Sequence, residues 1–392
     1  MNTIYQIIKT LLRSGITGEK LTLPVESIPE EVYQIVCRQS VAALAYQGAV
    51  NCGVSHQELM QKLFAHYYKA MLYSERQMLA IENLFQAFEQ SGIPYMPLKG
   101  CNMKKLYPKA ELRSMGDADI LIHPEDHERI RPVMEKLGFQ YIRENDHVFE
   151  WRSKQLYVEL HKSLVPITDE DYFCYYRTGW QLGIKGEGSR YDLSAEDAYI
   201  FMFTHFARHF RHTGIGCRHV VDLYVYRRAY PDMKMDYVQE ELQKLHLLEF
   251  HQNIEKMLDA WFLGMEENEI TCLATTMIFS GGNWGTAEAR VFSNVIKMSS
   301  KEGDIKQSGL KATLYAFFPP KEQLSYQYES VRKYPVLLPV FWVVRWVDIL
   351  LFKPWKIGKK LRILKTVGND GVMNRRDVLK KMGLEYGSNA EI

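Results

Sequence analysis

The chain has 392 residues, 46% of them hydrophobic and 24% charged, with a formal net charge of +2. That is the composition of a globular protein with ample core, and it excludes a disordered, collagen-like or disulfide-stapled chain. The near-neutral balance, with no stripe of Lys/Arg interleaved with aromatics, argues against a dedicated DNA-binding surface. Six cysteines are scattered with no Cys-x-x-Cys pair, so a zinc ribbon or thioredoxin-like chemistry is not expected. With no export signal at the start, a reducing, cytoplasmic location is the expectation.

In chain order, residues 1–90 read as helical. Ile4, Ile7, Ile8, Leu11 and Leu12 give the first helix its apolar period, 31–47 reads as one helix, and 56–90 as a long one ended by Ser91-Gly92. Residues 91–165 switch to an α/β pattern. The spacing predicts strands at 93–98 and 117–122, a helix opened by Pro124 and closed at Gly138, then three alternating segments at 139–143, 148–152 and 156–161. Residues 166–192 read as an excursion with no legible role. Helices return from Ser194, whose side chain with Glu196 and Asp197 forms a helix start. Residues 166–310 are expected to form a C-terminal helical domain. Gly281-Gly282-Asn283-Trp284-Gly285 does not read as a phosphate loop, because no clear strand precedes it.

Residues 311–392 form an amphipathic and basic tail. An apolar run at 334–352 is interrupted by Arg345 and Asp348, and Lys353, Lys356, Lys359, Lys360, Arg362 and Lys365 follow it. The two charges argue against a spanning helix. A helix packed on the body with a solvated basic end is the simpler expectation, and peripheral contact with an anionic membrane is the alternative.

The chemistry concentrates between Leu98 and Ile122. Side chains on a strand alternate faces, so Asp117 and Asp119 share one face and Ala118 and Ile120 the other. Two carboxylates on one face repel unless a cation lies between them, and Mg²⁺ or Mn²⁺ is the natural occupant. Glu159 and His161 share one face of the later strand. If that strand lies beside the first, Glu159 completes a three-carboxylate set, with His161 a packed or supporting residue. Upstream, Gly100 allows close backbone approach, the helix after it favours anions, and Lys99 adds positive charge. Arg113 either contacts phosphate or orders its loop through a salt bridge.

Leu98-Lys99-Gly100, Leu106-Tyr107-Pro108, the run 113–119 and Val158-Glu159-Leu160-His161 together resemble the bacterial nucleotidyltransferase family of the DNA polymerase β-like superfamily. Cys101 stands where that superfamily commonly has Ser or a second Gly. The resemblance implies an α+β fold with a small mixed sheet as the nucleotidyltransferase core. It implies metal-dependent transfer of a nucleoside monophosphate from an NTP, such as ATP, to an acceptor hydroxyl or phosphate. Asp117, Asp119 and Glu159 become the catalytic and metal-binding set. Lys99, Gly100, Arg113 and Gly116 become nucleotide-binding residues. The resemblance further places the segment from His205 to Asp222 beside the site, with His209 and Arg218 as contacts. A metal site from His205, His209 and Asp222 is the less favoured use of that segment. Family members are often encoded near surface-polysaccharide functions, so a sugar-phosphate or lipid-linked acceptor is one expectation. A toxin-like transferase acting on tRNA or protein, and a non-catalytic nucleotide sensor or scaffold, are the alternatives.

Overall fold

In a computed structural model, the structure describes residues 3–24, 28–167, 169–283, 328–352 and 369–384, with isolated residues between 289 and 324. The chain opens with four helices, α1 Thr3–Thr17, α2 Glu30–Arg38, α3 Ala42–Asn51 and α4 Gln57–Gln90. The single helix expected over 31–47 is two. Ser40 takes a positive φ of 58°, which an α-helix cannot contain. The Gln39 side chain instead donates to the carbonyls of Ile278 and Gly281, and its Oε1 accepts from the Cys217 backbone N–H. The break thus ties the N-terminal helices to the later ones.

The sheet follows: β1 Tyr95–Pro97, the one-turn helix α5 Gly100–Met103, β2 Ala118–Ile122, α6 His127–Lys136, then β3 Gln140–Glu144, β4 Val148–Arg152 and β5 Tyr157–His161. The order is β1-β2-β5-β4-β3. Only the β2–β5 pair is parallel, so the mixed α+β core expected from the sequence is present. Pro97 is tolerated because β1 is an edge strand. The excursion at 166–192 holds α7 Glu170–Tyr176 and a small hairpin, β6 Gly183–Lys185 and β7 Tyr191–Leu193.

Five helices complete the described body. These are α8 Ala195–His212, capped by the Ser194 hydroxyl on the Asp197 N–H at 3.0 Å, α9 Cys217–Ala229, α10 Met235–Lys244, α11 Leu248–Phe262 and α12 Glu269–Ser280. A helix at Leu338–Phe352 and another at Asn369–Lys381 lie further on. The basic run from Lys353 to Lys365 lies outside the described residues.

Two cores result. One lies beneath the sheet and takes Ala118, Ile120, Ile122, Val158 and Leu160 with Phe88, Ile130, Met134 and Trp151. The other joins the N-terminal helices to α8, α9, α11 and α12. The alternation of β2 and β5 therefore sends one set of side chains into the first core. Asp119, Glu159 and His161 project from the opposite face, toward the helices.

Candidate active site

The parallel pairing of β2 and β5 sets Asp119 directly opposite Glu159. Because both strands keep the same alternation, the two carboxylates stand on the same face. His161, two residues on, shares that face. Its Nε2 lies 2.8 Å from Asp119 Oδ1 and 3.7 Å from Glu159 Oε2. An ionised carboxylate can only accept, so the His161 Nε2 carries the proton. The other ring nitrogen, Nδ1, meets His147 Nε2 at 3.2 Å, and His147 Nδ1 lies 3.4 Å from the Ser163 hydroxyl. Asp119 thus has a supporting chain of side chains behind it, and His161 has a closer part in the site than that of a packed residue.

Asp119, Glu159 and His161 hold ligand atoms all within 4.8 Å of one another, the one such group of three among the described residues. Asp117 stands just before β2 rather than in it and is not in that group. It lines the same cavity. The His205, His209 and Asp222 combination forms no metal-holding group among the described residues.

The charges on this face suit a cation. Burial, then the neighbouring Asp119 and Asp117, pushes the Glu159 carboxyl up to about 8. Burial and Asp119 likewise raise Asp117. Asp119 moves the other way. Burial opposes its ionisation, but Lys99 and the His161 hydrogen bond outweigh it and hold Asp119 well below the usual carboxylate range. Three crowded carboxylates with one firmly ionised suit a hard divalent cation, which takes oxygen ligands.

The cavity has a volume of about 250 Å³. The acidic face forms one wall, and α8 and α9 form the other. Lys99 enters at φ 34°, ψ −104°, a backbone conformation that persists only when the surroundings enforce it and that concentrates at functional sites. Its Nζ stands 5.2 Å from the Phe201 ring centre. Gly100 is closely packed, since a Cβ there would sit 3.2 Å from Met115 Sδ and 3.3 Å from Arg113 Nη1. The helix expected to favour anions after Gly100 is a single turn, α5. So short a helix aligns too few peptide dipoles to matter, and the positive field comes from side chains.

Arg113 makes the loop-ordering salt bridge. Its Nε and Nη2 donate to Asp222 Oδ1 and Oδ2 at 2.7 and 2.9 Å. Tyr107 Oη donates to the same Asp222 Oδ1 at 2.7 Å. This buried triad fastens the loop before β2 to α9. The remaining nitrogen, Nη1, is buried without a hydrogen-bond partner, beside Gly100. Arg218 donates to the Ser114 carbonyl and the Asn283 Oδ1, both at 3.3 Å, and its Nη2 meets His219 Nε2 at 2.9 Å. His209 lies on α8 one turn from His205, with ring centres 4.4 Å apart. Burial, then Lys99 for His205 and Arg218 for His219, keeps both imidazoles far below their ordinary pKa and hence neutral. Of the sequence-predicted residues, Lys99, Gly100, Arg113, Asp117, Asp119, Glu159, His209 and Arg218 line the cavity. Gly116 does not; it sits exposed in the loop.

A family model described as an uncharacterised nucleotidyltransferase matches residues 26–263, more than half of the chain. The chain belongs to this nucleotidyltransferase family. The solved structure of the antibiotic-resistance factor ANT(2'')-Ia is similar, at 17% identity over 46% of this chain and 98% of that one, with a TM-score of 0.34. A likeness at that level carries no weight for function. No curated protein matches the chain.

The place of His147 and the pairing of Asp222 escaped the sequence reading of this nucleotidyltransferase's site. His147 sits in the turn between β3 and β4, and only the strand register brings it behind His161. Asp222 pairs with Arg113 across 109 residues of chain, a separation over which side-chain periodicity carries no signal.

Proposed function

We propose that this nucleotidyltransferase moves a nucleoside monophosphate from an NTP to the hydroxyl or phosphate of a small acceptor, with Mg²⁺ or Mn²⁺ as its cofactor. The observation that carries the reading is the Asp119–Glu159 pair, set side by side by the parallel register and faced by Lys99 and Arg113 across one cavity. Asp119 and Glu159, with Asp117 beside them, are the residues that would hold the cation. When bound, it would neutralise charge on the reacting phosphate.

The chain's own residues do the rest. Lys99 and the spare Nη1 of Arg113 attract the triphosphate, and Gly100 lets it come close to the backbone. His161 keeps Asp119 in one orientation. The acceptor oxygen bonds to the α-phosphorus, the bond from that phosphorus to the bridging oxygen breaks, and pyrophosphate leaves. The acceptor's proton passes to Glu159, the carboxylate that would be ionised with the cation beside it. A sugar-phosphate or lipid-linked acceptor of surface-polysaccharide metabolism is the class that the family resemblance suggests.

The test is transfer from each α-labelled NTP in a cell extract. It is run with Mg²⁺, with Mn²⁺ and with EDTA, beside the Asp119→Asn variant. Label in a small product, lost with EDTA and in the variant, is the expected result. Label in tRNA or protein would replace the small-acceptor reading. Transfer that survives Asp119→Asn would remove Asp119 from the chemistry.

A further inference from the structure

The helix Leu338–Phe352 is inside out. Val336, just ahead of it, and Val340, Val343, Val344, Val347, Leu350 and Leu351 are 43% to 84% exposed. At 100° per residue these positions fall on one stripe, about 120° wide and roughly 22 Å long. Arg345 points the other way, and Asp348 flanks the stripe. Arg345 and Asp348 are only part-exposed and are engaged with neighbouring groups, and burial lowers the Arg345 pKa. On the inward side Trp342 Nε1 donates to the Pro319 carbonyl at 2.9 Å, the Phe341 ring lies tilted against that of Tyr328 with centres 4.8 Å apart, and Ile349 is buried. A helix on a water-facing surface does the reverse, keeping its charges outward. A continuous aliphatic stripe with no charge in it marks a surface that meets something apolar.

We infer that this face rests on the anionic surface of a membrane, the helix lying parallel to the bilayer plane with its Val/Leu stripe in the headgroup–acyl boundary. Three observations select lipid over another occupant. The stripe is wholly aliphatic, without the aromatic and Arg anchors that dominate protein–protein contacts. In sequence, six cations and no acidic residue follow within Lys353 to Lys365. Such a cluster is attracted to anionic lipid and would repel its own copy in a symmetric dimer. No helix among the described residues is long and apolar enough to cross a membrane, so the stripe fits lying in the interface rather than spanning it. This inference stands independently of the reading of the catalytic cavity.

The test uses the full chain in flotation with vesicles of phosphatidylcholine alone and of phosphatidylcholine with phosphatidylglycerol. The comparison is the Val343→Asp/Val347→Asp variant, which changes exposed side chains only and should keep its nucleotide transfer. Co-flotation with the anionic vesicles, weakened by salt and reduced about tenfold or more in the variant, is the expected result. No co-flotation of the wild type, equal binding to both vesicle types, or undiminished binding by the variant would each overturn the inference. So would a concentration-dependent dimer that the variant dissolves without any vesicle binding, because the face would then belong to a second copy.

Discussion

Asp222→Asn is the most informative single perturbation of the fold around the site. Asp222 and Arg113 are 3% and 4% exposed, and the pair is bidentate at 2.7 and 2.9 Å. Burial opposes ionisation of Asp222, but Arg113 outweighs it and holds the carboxyl below its ordinary range. Asparagine keeps the shape and removes the charge, leaving Arg113 buried and uncompensated. Breaking such a pair from one side costs about 3–5 kcal/mol, and the Tyr107 hydrogen bond to the same oxygen loses its charge assistance as well. Urea unfolding followed by far-UV circular dichroism measures the loss. The double variant Arg113→Met/Asp222→Leu should recover most of it, since removing both charges leaves no unpaired ion. That stable double variant should still bind NTP more weakly, by about tenfold or more, because the spare Arg113 Nη1 is gone. A loss below about 1 kcal/mol in Asp222→Asn would refute the reasoning. So would a double variant no more stable than the single one, or one with unchanged NTP affinity.

Two further outcomes follow from buried groups elsewhere. Lys104 is 2% exposed and its pKa is lowered to about 8, by burial first and then by Arg113. The unfolded chain keeps that proton up to about pH 10.4. Stability should therefore rise by about 3 kcal/mol as pH climbs from 8 toward 10.4, with no such gain below 8. Lys104→Met should be more stable than the wild type at pH 7 and lack the rise, as denaturation across that range will read. Gly48→Ala should destabilise the chain by more than about 2 kcal/mol in the same assay, because the new Cβ would overlap the Leu11 carbonyl where α1 crosses α3. A wild-type melting curve for Gly48→Ala would mean that the two helices can part freely.

The sequence by itself determined the elements and the chemistry they carry. Period-two alternation in 117–122 and 156–161 is a property of neighbouring residues, so it told which side chains of each strand share a face. Asp119, Glu159 and His161 were therefore legible as one-sided before their strands were known to touch. Ser194 and its acidic first turn marked the start of α8 for the same local reason. Tertiary structure decided what depends on partners distant in sequence. It chose the parallel register that sets Asp119 against Glu159, and it broke the 31–47 helix at Ser40 so that Gln39 could reach Ile278, Gly281 and Cys217. It divided Arg113 between Asp222 and the cavity, and it turned Arg345 away from an aliphatic stripe. Hydrogen bonds and burial across a hundred or more residues leave no periodic trace in the chain, and leaving one partner of a buried ion pair unmatched costs several kcal/mol, more than the few tenths by which local preference favours one conformation over another.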